Sequence, residues 1–121
     1  MSIAGIGLRH AATAESLKSA LSKVDMSGVT ALATPADKAS FAAIIALGKD
    51  LGLEVIGIAK ADLIAQDTIT QSERVLDMRG TGSVAEAAAL AAAGPHAQLT
   101  GPRVVSEDRM ATCAVAKDAG E

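Results

Sequence analysis

The sequence predicts a single α/β domain: a mostly parallel sheet flanked by helices, ending in an antiparallel hairpin. Three observations carry this. Apolar runs of strand length alternate with stretches whose apolar residues recur every three or four positions, the pattern of strands covered by helices. Residues that start and stop helices fall between those runs. The 121 residues, half of them apolar and 21% charged, suffice for one core but not for two.

Residues 3–8 read as a first strand, handing over at Gly7-Leu8-Arg9-His10. A helix follows from about Thr13, with Leu17, Ala20, Leu21 and Val24 on one face. Residues 29–33 make a short second strand. Thr34-Pro35-Ala36-Asp37 then reads as a helix start, with a Thr cap, Pro at the first helical position and an acid in the first turn. That helix is expected to run to about Leu51, burying Phe41, Ile44, Ile45, Gly48 and Leu51 and stopping at Gly52. Residues 54–58 form a third strand, and 61–65 one helical turn. The polar stretch 66–79 has little periodicity, and loops of that length are commonly functional or mobile. An Ala-rich helix follows Gly80-Thr81-Gly82-Ser83 and ends at Gly94-Pro95. Gln98-Leu99 and Val104-Val105 are expected to pair with residues 110–115 around Glu107-Asp108-Arg109, leaving 118–121 as a frayed tail.

Composition excludes several functions. Phe41 is the one aromatic residue, so the core must rest on Ala, Val, Ile and Leu with helices and sheet in close approach. Aromatic platforms for bases are lacking and the net charge is −3, which argues against a nucleic-acid partner. No apolar stretch reaches the ~20 residues that span a bilayer, and the start lacks the charged lead and apolar region of a signal peptide, so a cytoplasmic location is expected. The single Cys113, in an apolar run, reads as a buried small hydrophobe in a reducing compartment. His10 and His96 have no acid or cysteine at metal-ligand spacing; no metal site and no cofactor are expected.

The candidate ligand-binding feature is the Gly80-Thr81-Gly82-Ser83 loop. Ser83 and Glu86 have capping-box spacing, and the two glycines let backbone N–H groups approach an anion at a helix N-terminus. The same glycines equally suit a tight turn into a capped helix. The loop also satisfies the pattern G-x-G-x-x-G/A of dinucleotide sites, but no acid follows about 20 residues on at a strand end, which leaves a nicotinamide-binding oxidoreductase as a minor alternative. Arg9 and His10 fall at the crevice end of a parallel sheet, Lys38 is expected in the first turn of the second helix, and Arg103 and Arg109 flank the hairpin. Cations and helix N-termini gathered at one sheet edge would suit a ligand with several carboxylates.

Three stretches, Gly5-Ile6-Gly7-Leu8-Arg9, Leu32-Ala33-Thr34 with Asp37-Lys38-Ala39, and Gly80-Thr81-Gly82-Ser83-Val84-Ala85-Glu86-Ala87-Ala88-Ala89-Leu90, span nearly the whole chain in order. Together they resemble the cobalamin-biosynthesis family of CobE and the C-terminal domain of CbiG. The resemblance implies a domain of that kind over residues 1–117 and a role in making the corrin ring. It implies a corrinoid or precorrin intermediate as ligand, bound or carried, with other cobalamin-pathway enzymes as partners. It also implies an alternative activity, a hydrolase opening the ring-A lactone of a cobalt-precorrin with release of acetaldehyde; this chain has the length of the C-terminal domain alone. Gly7, Arg9, Thr34, Lys38, the residues Gly80 to Ser83 and Arg103 are the expected ligand contacts, and no catalytic residue is assigned.

Overall fold

The computed structural model describes residues 2–73 and 80–118. Strands β1 (Ser2–Leu8), β2 (Val29–Pro35) and β3 (Glu54–Ile58) are parallel neighbours, joined by helices α1 (Ala14–Leu21) and α2 (Ala42–Leu51). After the short α3 (Lys60–Ile64) and the Ala-rich α4 (Val84–Ala93) come β4 (Ala97–Leu99), β5 (Val104–Val105) and β6 (Ala111–Asp118). The sheet order is β3-β2-β1-β6-β4, with β5 also on β6. No helix among the described residues is long and apolar enough to cross a membrane.

The sheet is therefore mixed: its core strands β1, β2 and β3 are parallel as expected, and the strands that follow α4 join it antiparallel. β6 lies antiparallel against the full length of β1, from Ser2 opposite Lys117 to Leu8 opposite Ala111, and carries β4 and β5 on its other side. The expected hairpin is present between β5 and β6, but β6 is a central strand rather than an appendage. Its composition explains this. Ala111, Cys113 and Val115 enter the core on one face, while Ala114 and Ala116 are also buried. A strand apolar on both faces belongs inside a sheet. Asp118 still pairs with Ala97; residues 119–121 and the 74–79 part of the polar loop lie outside the described residues.

Alternation along β1 divides the core in two. Ala4, Ile6 and Leu8 pack with Leu17, Leu21, Ile44 and Leu47 beneath α1 and α2, and Ile3 packs with the alanines of α4 on the other face. Close approach substitutes for bulk here. A Cβ on Gly5 would sit 1.9 Å from the Ala85 carbonyl oxygen and 2.6 Å from the Ala89 nitrogen. The backbone of α4 thus rests on that of β1, and only Gly5 opposite alanines permits it.

The expected helix start at Thr34-Pro35 is overturned. β2 continues through both residues, with Thr34 opposite Gly57 and Pro35 opposite Ile58. The Thr34 hydroxyl donates to the Ile6 carbonyl at 2.8 Å, so its hydrogen-bonding capacity ties two strands together instead of capping a helix. Pro35 is the last residue of the strand, where its missing N–H is tolerated. Turns occupy 36–40, and α2 begins after Phe41 with no side-chain cap. The buried stripe of α2 is correspondingly Ile44, Leu47 and Gly48, leaving Ile45 and Leu51 40% and 45% exposed. Ile45 lies one residue, about 100°, round the helix from Ile44 and so faces away from the sheet.

Candidate functional site

A cleft of about 570 Å³ opens where β1 and β2 end and β6 begins. Parallel strands deliver their C-terminal ends to a common edge, and the antiparallel β6 brings its start to the same edge, because Leu8 pairs with Ala111. Gly7, Leu8, Arg9 and His10 come from β1 and its exit, and Pro35 and Lys38 from the end of β2. The hairpin adds Arg103, Arg109 and Met110, and Val84 brings in the first turn of α4.

Five of the lining residues are Arg9, His10, Lys38, Arg103 and Arg109, and no described lining residue is a carboxylate. Among the described residues, the ion pairs at 4 Å or less join Lys18 to Glu15 and Asp50 and Lys23 to Glu107, and none of these involves a cleft cation. Charges of one sign gathered in a concave setting focus a positive potential on the cleft, to which the N-terminus of α4 adds partial positive charge. Lys38 is positioned by Phe41, its ammonium 4.5 Å from the ring centroid, and His10 meets the same ring edge-on at 5.4 Å. The lone aromatic is thus half-buried, packed against the core as expected, while its ring also meets two of the cleft residues.

Acids lie behind the cleft wall instead. Glu86 is buried, and its carboxylate accepts the N–H groups of Ile69 at 2.6 Å, Thr70 at 2.9 Å and Arg103 at 2.9 Å, and the Thr70 hydroxyl at 2.5 Å. Burial alone would raise this carboxyl, but the Thr70 hydroxyl and the three N–H donors outweigh it and hold it below its ordinary value. The Ser83–Glu86 spacing therefore works differently from the expected box. Ser83 caps α4 by accepting the Glu86 N–H at 3.4 Å, while the Glu86 side chain fastens the 69–70 segment and the Arg103 backbone. Cys113 is buried in β6, and desolvation pushes its thiol up to about 12, leaving it protonated and inert.

Of the expected contacts, Gly7, Arg9, Lys38 and Arg103 converge on the cleft. Thr34 is buried with its hydroxyl committed to Ile6. The loop from Gly80 to Ser83 leads into α4 at its cap and is not among the described residues that line the cleft. A Cβ on Gly82 would come 2.5 Å from the Thr70 carbonyl oxygen, so this glycine admits the neighbouring loop. Gly80 is exposed, Ser83 is the cap, and the Thr81 hydroxyl is buried with no partner among the described residues. His10 and Arg109 join the site, both standing at positions flagged by strand-end and hairpin patterns. No cluster of three or more potential metal-ligating side chains exists among the described residues.

Comparison with known proteins agrees with the resemblance. The family model described as "Cobalamin synthesis G C-terminus" matches residues 2–116. The crystal structure of CobE, a protein from the cobalamin (vitamin B12) biosynthetic pathway, superposes with a TM-score of 0.81 at 34% identity, over 96% of this chain and 89% of that one. The cobalamin biosynthesis protein chiG from Agrobacterium tumefaciens str. C58 gives 0.73 at 37% identity, over 98% and 99%. None of the curated proteins matches the chain.

Proposed function

The chain belongs to the cobalamin-synthesis G C-terminus family of cobalamin biosynthesis, and from that premise we propose that it binds and carries a corrinoid intermediate with free carboxylate arms. One observation carries the reading: Arg9, Lys38, Arg103 and Arg109 converge on a cleft with no carboxylate among its described lining residues. Acetate and propionate arms supply the missing anions, and charge-assisted bonds to guanidinium groups are the strong class of hydrogen bond. A volume of about 570 Å³ falls within the range of small-molecule sites. It accommodates one edge of a macrocycle with its arms, while the rest of the ring lies against aliphatic rim residues such as Val105 and Met110.

Carriage is favoured over lactone hydrolysis by the composition of the wall. Among the described lining residues His10 is the only imidazole and no carboxylate stands to orient it, and Cys113 is buried and protonated. Delivery to or from another cobalamin-pathway enzyme follows from a carrier role, in a reducing compartment that suits the free thiol. The test is turnover alongside binding. Titration with hydrogenobyrinic acid is expected to shift the corrin spectrum saturably, with the ligand recovered unchanged. Release of acetaldehyde from a lactone-bearing cobalt-precorrin by the isolated chain would replace this reading with hydrolysis.

A further inference from the structure

We propose that Asp108 is a positioning residue that sets Arg109 and Arg9 in the cleft, through a clasp between the β5–β6 turn and α1. The proposal rests on the anion-binding reading of the cleft. Asp108 accepts the Ser16 hydroxyl at 2.5 Å on one carboxylate oxygen, and on the other the Ser106 hydroxyl at 2.7 Å and the Met110 N–H at 3.1 Å. Ser16 and Ser106 are both 2% exposed, so these donors are given over to the clasp. Ser106 in turn accepts the N–H groups of Met110 and Ala111, at 3.1 and 3.0 Å.

The clasp grips from one stripe of α1 and its exit. Ser16 holds Asp108, the Ser19 hydroxyl accepts the Glu107 N–H at 2.9 Å, and Lys23 donates to the Val105 carbonyl at 2.7 Å while pairing with Glu107 at 3.1 Å. Residues three and four apart on a helix share a face, which aims all three at the same turn. A turn that only reversed the chain would not need a neighbouring helix to hold it.

What the clasp sets is the cationic wall. Arg109 is the only described non-glycine residue with positive φ, at 62°, a conformation that persists where surrounding bonds impose it. Its N–H donates to the Ser106 carbonyl at 3.0 Å, and the next carbonyl, that of Met110, accepts the Arg9 N–H at 2.9 Å. Two of the four cleft cations therefore take their backbone placement from the turn that Asp108 closes.

The charge of Asp108 makes the test decisive in sign. An acid beside an anion site weakens anion binding by Coulomb repulsion, so deleting it should tighten binding if charge were its only role. Positioning predicts the reverse. In titrations with hydrogenobyrinic acid, Asp108→Ala is expected to weaken binding about tenfold, the scale of coupling between neighbouring groups. Asp108→Asn, which keeps an acceptor for Ser106 and Met110, is expected to recover most of that loss. In an Arg109→Ala background, Asp108→Ala should cost distinctly less. Relaxation of the Arg109 Nε–H by NMR supplies a readout without ligand: ordered in the parent, mobile in Asp108→Ala. Should Asp108→Ala bind as tightly as the parent or more so, or should Arg109 keep its order, the proposal is overturned. Failure of the parent to bind the corrin strikes the reading of the cleft, and the relaxation measurement still decides the clasp.

Discussion

Replacing Glu86 by Gln changes one oxygen to NH₂ in a carboxylate with four donors around it. The amide oxygen can keep the Ile69 and Thr70 N–H groups, and the Thr70 hydroxyl can turn to accept from the new NH₂. The Arg103 N–H, 2.9 Å from the second oxygen in the parent, cannot turn and is left facing another donor. An orphaned donor of this kind costs about 1–3 kcal/mol, and the surviving bonds fall from charge-assisted to neutral strength, about another 1 kcal/mol. The expected loss is about 2–4 kcal/mol, or a fall in melting temperature of about 8–16 °C for a domain of this size. Because the native carboxyl is held below its ordinary 4.5, its contribution is complete above that pH. It is lost as the pH falls through the lowered native value. Glu86→Gln has no such group, so the difference from the parent should narrow as the pH falls below 4.5. Thermal melts at neutral and acid pH measure both effects, and amide exchange at Ile69, Thr70 and Arg103 localises them. A variant that melts within about 2 °C of the parent at pH 7, with those amides still protected, refutes the assignment of Glu86 as the fastener of the cleft wall.

Gly5→Ala should lower stability by about 3 kcal/mol or more, since its Cβ would fall 1.9 Å from a backbone oxygen that can move only with α4; chemical denaturation measures the loss, and a neutral result would deny the close strand–helix approach. Cys113 should resist alkylation by iodoacetamide at pH 8 in the native protein and react on unfolding, as its thiol is buried and held protonated. Phe41→Leu should leave the fold intact and weaken corrin binding by about 0.5–1 kcal/mol, through loss of the ring that places Lys38; calorimetry of the two proteins reports the difference.

Local patterns revealed much of the fold. The strand at Glu54–Ile58 and the helix Val84–Ala93 between Ser83 and Gly94 lie where hydrophobic periodicity and end signals put them. The misplaced start of α2 shows the limit of such signals. Thr followed by Pro fits a helix start and a strand end alike, and the choice was made by Ile6 and Ile58, which are distant in sequence. Lys38 reaches the cleft although its expected helical turn does not exist, because the turn after β2 opens at the same sheet edge. Arg9 was legible for a sounder reason, the rule that ligands gather where parallel strands end. Pairings such as Glu86 with Arg103 or Ser16 with Asp108 join segments that no periodicity connects, and they appear only once the chain is folded.

The most direct test of the corrinoid reading compares two corrins on two proteins. With no Trp or Tyr in the chain, corrin absorbance can be followed with little protein background near 280 nm. Hydrogenobyrinic acid should bind the parent saturably, and cobalamin, its arms amidated, should bind more weakly. In the Arg9→Ala/Arg103→Ala variant the preference for the carboxylate form should largely disappear, each lost charge-assisted contact costing about 1.5–3 kcal/mol. Equal affinity for both corrins, or a preference that survives loss of both arginines, would contradict the account.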